Sequence, residues 1–170
     1  MPAGPTYEPI ETVTLNGSVS TVTLGSGGTI PQTYTDLILV FNGGTASAGN
    51  FQTRFNGNSS AIYSTVTLYG AANGAPASGG YSDLNVMYPG VASSAPFSLT
   101  SNAVLHFSNY SNNTTFKNML SRYNNAAIEV DITISTWRST APVTSITIYT
   151  YSGANYLSGS TFTLYGIKAA

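Results

Sequence analysis

The two most closely spaced carboxylates in the sequence are Glu129 and Asp131, which a single residue separates. In a β-strand they would lie on the same face, roughly 7 Å apart, within the range that inverting glycosidases use for their acid and base. The flanking residues offer no evident apolar pocket that would raise the pKa of either group. Carboxylates on an outer strand face more commonly prevent edge-to-edge aggregation or pair with Arg or Lys. We therefore predict that the chain is not an enzyme and keep a glycosidase as the less favoured hypothesis.

The other side chains that could support catalysis or metal binding are isolated in the sequence. His106 is the only imidazole, and neither a Gly-x-Ser-x-Gly nor a Ser-x-x-Lys motif is present, so we interpret His106 as a polar-face residue of a strand. A weak cation site would have to draw on acidic residues that form no spaced Asp loop, namely Asp36, Asp83, Glu129 or Asp131. There are no cysteines to provide thiolate ligands. The sequence thus predicts neither a metal nor a cofactor.

Aromatic and arginine side chains are better candidates, and the chemistry they favour is binding. The chain has 12 tyrosines, and tyrosine combines a large contact area with a hydrogen-bonding tip, as interfaces and sugar-binding platforms require. Ordinary packing of a β-sandwich is the alternative for each of them. Because charges are so few, each Arg is expected to have a specific partner, inside the domain or on a neighbouring subunit. The candidate interface residues are Pro5, Tyr7, Pro9, Arg54, Tyr63, Tyr69, Arg122, Trp137, Arg138 and Tyr165.

Composition restricts the class of protein. A chain of 170 residues is long enough for one core and short for two domains. Asp, Glu, Lys and Arg make up 6% of it, against roughly 25% in a typical soluble domain. With a net charge of −1 we expect no nucleic-acid partner, and with no apolar run near roughly 20 residues we expect no membrane span. A neutral surface gives little colloidal repulsion, which suits a subunit of an assembly better than a free monomer.

The pattern of apolar residues predicts a nearly all-β chain. Residues 30–41 contain the most apolar strand, with Leu37, Leu39 and Phe41 on one side and two more apolar residues on the other, so we expect a central strand with layers above and below it. Nine to eleven short strands, at turn spacings of about 8–12 residues, favour an antiparallel two-sheet β-sandwich that is jelly-roll-like. An up-and-down barrel is the structural alternative.

Turn residues and prolines predict how the elements connect. The dipeptides Asn16-Gly17 and Asn56-Gly57 reach positive φ easily, so each is predicted to join its flanking strands into a hairpin. Residues 1–9 contain three prolines and are predicted to be an extended N-terminal arm, followed by a single β-sandwich domain at residues 10–170. Residues 70–80, rich in Gly and Ala, are predicted to be a surface excursion.

Two strands have a clear alternation. One apolar row, Ile128, Val130, Ile132 and Ile134, alternates with a polar row, Glu129, Asp131, Thr133 and Ser135. We expect the apolar row to face the core and the polar row to face outward. Strict alternation would place Trp137 on the polar row, unless a bulge inverts it. Residues 62–69 likewise predict a hydroxyl-rich outer stripe, formed by Tyr63, Thr65, Thr67 and Tyr69.

Several short blocks, taken in order, resemble a known family. They are TYEPI at residues 6–10, IPQTYTDLILV at 30–40, RFNGN at 54–58 with Tyr63, LYG at 68–70, NYSN at 109–112, LSR at 120–122, WRST at 137–140 and STFTLYGIKAA at 160–170. Together they are similar to small structural proteins of tailed bacteriophages that are frequent in cyanophages and other aquatic phages. Residues 70–96 depart from that pattern.

The resemblance implies a non-enzymatic virion component with a β-sandwich fold. Its most plausible role would be that of a capsid decoration, or cement, protein on the head surface, assembled in the host cytoplasm. Its partners would be the major capsid protein and itself, as a homotrimer. A tail-fibre or spike module that binds a host receptor or glycan is the alternative, with Tyr63, Tyr69 and Trp137 as stacking platforms.

Overall fold

The structure, a computed structural model, describes residues 6–49, 51–71, 74–90, 101–125, 129–151 and 153–168. These residues form eleven strands and no helix. The strands are β1 Tyr7–Thr14, β2 Thr21–Leu24, β3 Asp36–Gly43, β4 Phe51–Phe55, β5 Tyr63–Ala71, β6 Ala77–Leu84, β7 Ser101–Ser108, β8 Lys117–Asn125, β9 Glu129–Trp137, β10 Ile146–Thr150 and β11 Thr161–Ile167. No described segment is a helix of the length and apolarity needed to cross a bilayer.

The strands form two sheets of unequal size. The large sheet has eight strands in the order β1-β11-β3-β7-β8-β9-β5-β6, and the small sheet has three in the order β2-β10-β4. Every strand pairing among the described residues is antiparallel. One cluster of buried side chains from both sheets forms the core. The all-β, antiparallel, sandwich-like architecture predicted from the sequence is therefore confirmed.

β3 is an interior strand, as predicted, but only one of its faces is covered by a second sheet. It lies between β11 and β7, and Leu37, Leu39 and Phe41 are buried toward the small sheet. Ile38 and Val40 point the other way and are half-buried by their neighbours on the same sheet. In the described part of the chain no further layer packs there, so the predicted layers on both sides are wrong.

Both predicted hairpins are wrong, although one of the turns forms as expected. Asn56 and Gly57 have φ of 52° and 64°, and Asn58 N–H donates to the Phe55 carbonyl at 2.9 Å, which is a tight turn. However, β4 pairs with β10 in the small sheet, whereas β5 pairs with β6 and β9 in the large one. The connection at Asn16-Gly17 likewise joins β1 of the large sheet to β2 of the small one. Both connections thus carry the chain across the core between sheets.

The predicted boundaries at the N-terminus and at residues 70–80 also change. Residues 7–9 belong to β1, where the Glu8 carboxylate lies 2.6 Å from Lys168 Nζ and accepts a hydrogen bond from the Tyr34 hydroxyl at 3.0 Å. Residues 1–5, with the candidate Pro5, lie outside the described residues. Residues 77–80 form the first half of β6 at the edge of the large sheet rather than a surface excursion.

The largest correction concerns which faces of β5 and β9 are buried. On β9 the polar row is buried, and Val130, Ile132 and Ile134 are exposed. On β5, Tyr63, Thr65 and Thr67 are buried, Tyr69 at the end of their row is half-exposed, and Val66 and Leu68 are exposed. Ile128 lies outside the described residues. The alternation of apolar and polar residues was predicted correctly, but the row predicted to face the core was wrong. The polar rows also contain Tyr63 and Trp137, the large aromatic side chains that fill the core.

Candidate interaction surface

The side of the large sheet that faces away from the small sheet is here called the outer face. Strand register aligns its side chains in rows that cross all eight strands. One row runs Pro9, Tyr165, Ile38, His106, Leu120, Ile134, Val66 and Gly80. The next runs Thr12, Thr163, Val40, Val104, Arg122, Ile132, Leu68 and Ser78. The face is therefore a continuous surface.

Six apolar side chains form a patch on the outer face over β8, β9 and β5. This apolar patch consists of Val66, Leu68, Leu120, Val130, Ile132 and Ile134, which are 37% to 62% exposed. Cross-strand neighbours lie close enough for their side chains to touch, so the six are contiguous. Six apolar side chains exposed side by side form a contiguous patch, and the largest such patch on a typical monomeric protein is about 300–600 Å². Patches of this size commonly mark interaction sites.

The inner side of the same strands explains why the apolar row faces out. Thr65 and Ser135 hydroxyls are hydrogen-bonded at 2.8 Å, and Thr67 and Thr133 hydroxyls at 2.9 Å, all four buried. Buried hydroxyls that satisfy one another cost little. At the end of these rows Trp137 is fully inside the core, so reversing the faces would expose the largest side chain of the domain. The apolar patch is thus fixed by the packing of the opposite face.

Charges are scarce on the outer face. In the two rows given above, Arg122 and His106 are the basic side chains. His106 Nε2 lies 2.8 Å from an Asp36 carboxylate oxygen, and the other oxygen of that group accepts the Asn109 N–H at 2.7 Å. His106 is half-exposed on the polar side of β7, as predicted. Arg122 is exposed and has no hydrogen-bonding or ionic partner among the described residues, so it is available to another molecule.

Four of the predicted interface residues lie on the outer face: Tyr7, Pro9, Arg122 and Tyr165. Tyr7 is 58% exposed and pairs with Ile167, and Pro9 pairs with the half-buried Tyr165. Tyr7, Pro9 and Tyr165 form an aromatic rim at the β1–β11 edge, far along the sheet from the apolar patch, whereas Arg122 lies on β8 beside the patch.

The remaining candidates lie elsewhere. Tyr63 and Trp137 are buried and stacked at 6.3 Å, so neither can serve as a surface platform. Arg54 Nε donates to the Asn85 carbonyl at 3.0 Å, and its guanidinium lies over the Tyr149 ring. Arg138 pairs with Asp83 at 2.5 Å. Both arginines therefore have the internal partners that were one of the two predicted possibilities.

Tyr69 borders a groove at the end of the apolar patch. The groove has a volume of about 630 Å³ and lies among β9, β5 and β6, with Leu68, Val130 and Asp131 among its lining residues. Tyr69 is half-exposed there. The groove extends the apolar patch toward the N-terminal end of β9, where Glu129 and Asp131 lie.

The carboxylate pair is buried rather than exposed, which contradicts the sequence-based expectation of an outer charged face. Glu129 and Asp131 are 9% and 7% exposed on the inner side of β9. Burial, together with the nearby Asp131, raises the pKa of Glu129 to about 7. A carboxyl group with such a pKa could donate or accept a proton near neutral pH. Among the described residues, however, no group of three His, Asp or Glu side chains is placed to hold a metal ion.

Sequence reasoning missed the six residues of the apolar patch. It assumed that the apolar row faces the core, which is the usual arrangement for an antiparallel sheet with one solvated face. Trp137 was the signal that could have identified them, because it shares one strand face with Ser135, Thr133 and Asp131. A buried Trp137 therefore places those three residues inward as well. Comparisons with protein-family models, with characterised proteins and with solved structures find no match to this chain.

Proposed function

We propose that this chain is a non-enzymatic structural protein of a tailed-phage virion, most specifically a decoration protein that binds the major capsid protein lattice and stabilises the head. Two things support the proposal. One is the ordered set of sequence blocks that resembles phage structural proteins. The other is the outer face, a broad, almost uncharged surface that spans eight strands and carries an apolar patch.

The outer face is the single observation that carries the proposal. Apart from the groove at the end of the apolar patch, the described part of this face is open and offers contacts over a wide area. Each net hydrogen bond or small apolar contact would be worth about 0.5–1.5 kcal/mol. Repetition over a lattice multiplies such contacts through multivalency, so modest single-site affinity is enough for stable decoration.

The aromatic rim at the β1–β11 edge is the part of the outer face that we assign to the lattice. Tyrosine and proline contribute contact area at low cost in side-chain entropy, as interfaces require. We expect the double substitution Tyr7→Ser with Tyr165→Ser to weaken binding to undecorated heads at least about ten-fold, because both side chains lie at the rim. Binding is measured by co-sedimentation with heads.

Tyr151→Ser provides the matched control for that experiment. Tyr151 is 72% exposed but follows β10 of the small sheet, so its loss should leave head binding unchanged. Equal weakening by both variants, or no binding by the unaltered protein, would contradict the assignment. Removing residues 1–5 separately tests the predicted arm while leaving β1 whole.

The tail-fibre alternative is less well supported, because Tyr63 and Trp137, two of its three proposed glycan platforms, are buried. Copy number per particle, measured by quantitative mass spectrometry against the major capsid protein, separates the two: a comparable number supports decoration, and a small fraction supports a tail location. The homotrimer that the resemblance implies competes with a two-fold pair of chains, and the mass of the protein in solution distinguishes them. The jelly-roll topology is likewise a proposal, which rests on the number and spacing of the strands, because an eight-to-three division of strands supports a sandwich without fixing that topology.

A further inference from the structure

We infer that the apolar patch binds a second copy of this chain, so that two large sheets pack face to face about a two-fold axis. The inference deepens the proposed function, since it rests on the outer face being an interface. It assigns the aromatic rim and the apolar patch to different partners.

The position of the patch is fixed by the pairing and packing of the sheet. Ile134 lies in register between Leu120 on β8 and Val66 on β5, and Ile132 lies beside Leu68. The inner residues between them are held by paired buried hydroxyls and by Trp137. A slip of one residue would bury the patch but expose those groups, so the strands described here cannot cover the patch by changing register.

The lack of charge on the patch also favours a second copy as its partner. None of the six side chains of the patch is charged, and the nearest basic group in the same rows is Arg122, which pairs with Ile132 at the patch border. A partner with a strongly charged surface would find nothing complementary here. In a two-fold contact the same surface meets itself, so an uncharged apolar patch is self-complementary where a charged one would repel.

The area around the patch also suits a contact with a second copy. Five strands centred on β9, from β7 to β6, at about 4.8 Å spacing and each spanning about seven residues, cover roughly 550 Å². This is close to the roughly 600 Å² per partner at the low end of specific protein–protein contacts, and it leaves the aromatic rim free. The apolar patch would form the centre of such a contact, and the polar side chains around it would form the rim. Two sheets stacked about 10 Å apart are an ordinary way for β-sheets to exclude water.

Sedimentation of the full chain between about 1 and 100 µM tests the inference. We expect the unaltered protein to have twice the 17.7 kDa mass of one chain at the higher concentrations. Ile134→Lys places a charge at the centre of the patch and should raise the dissociation constant at least about 100-fold. Val66→Thr keeps the shape of the side chain and its preference for strands, so it should fold normally and still raise the dissociation constant several-fold.

Thr21→Lys is the matched control, because it adds the same charge at an exposed position of β2 in the small sheet and should leave the mass unchanged. A monomer at 100 µM, a three-copy mass, or an Ile134→Lys variant that associates like the unaltered protein would overturn the inference. Its failure is distinguishable from failure of the proposed function. A monomer that still decorates heads refutes only the pairing, and a pair that does not bind heads refutes only the decoration.

Discussion

Replacing Trp137 by alanine is expected to lower the free energy of unfolding by about 3–5 kcal/mol. Trp137 is 2% exposed, stacks on Tyr63, and meets the Phe55 ring edge-on with centroids 5.5 Å apart. Phe55 belongs to the small sheet, so this contact joins the two layers. Removing the indole leaves a cavity at that junction. Equilibrium denaturation in urea measures the loss.

Trp137→Phe is the control that separates the loss of side-chain volume from the loss of the indole N–H group. The indole Nε1–H has no hydrogen-bond acceptor among the described residues, so replacing the indole with a phenyl ring sacrifices no hydrogen bond. The phenyl ring also fills much of the same space, and we expect a loss of under about 2 kcal/mol. An alanine variant as stable as the phenylalanine variant would contradict the placement of Trp137 between the sheets.

Glu129 should make the domain less stable as the pH rises from about 4.5 to about 7. Its pKa is about 7 in the folded protein and about 4.5 when unperturbed. Below about pH 4.5 the group is protonated in both states and its contribution is fully present. Between about pH 4.5 and 7 the unfolded chain releases the proton first, so stability falls by about 2–3 kcal/mol and then levels off.

Glu129→Gln removes this titration, so the variant should lack that fall and should be more stable than the unaltered protein at pH 8. Thermal or urea denaturation at intervals from pH 4 to 8 measures the difference. Glu8→Gln is the matched control, because the hydrogen bond from Lys168 lowers the pKa of Glu8 and its titration lies below this window. A Glu129→Gln variant that keeps the unaltered pH dependence would show that the carboxyl is not buried as described.

Local patterns in the sequence predicted the strands well. Residues 161–167 alternate with Phe162 and Leu164 as their most apolar members, a strand pattern, and they form β11 with both side chains buried. On β7, His106 lies on the polar side, as predicted, and Leu105 and Phe107 are inside. In these strands the apolar row also contains the largest side chains, so hydrophobicity and size lead to the same choice of face.

The partner of each strand, and the face of it that is buried, were predicted less well, because both depend on residues distant in the sequence. The tight turn after β4 forms as its Asn-Gly dipeptide predicts, yet β10, nearly a hundred residues later, is the partner that β4 acquires. On β9 the apolar row and the aromatic residue compete for the core, and the aromatic residue wins because Tyr63 and Phe55 provide a site for it. A single strand pattern contains no information about that site.

Both proposals require that the apolar side of β9 is the side open to another molecule, and thiol labelling measures this directly. The chain has no cysteine, so Ile134→Cys and Ser135→Cys each introduce a unique thiol. Ile134 is 57% exposed and Ser135 is 1% exposed. In dilute protein we predict that a maleimide labels the thiol at position 134 at least about 100-fold faster than that at 135, and that raising the protein concentration protects position 134. Faster labelling at position 135, or labelling at 134 that is independent of concentration, would contradict the account.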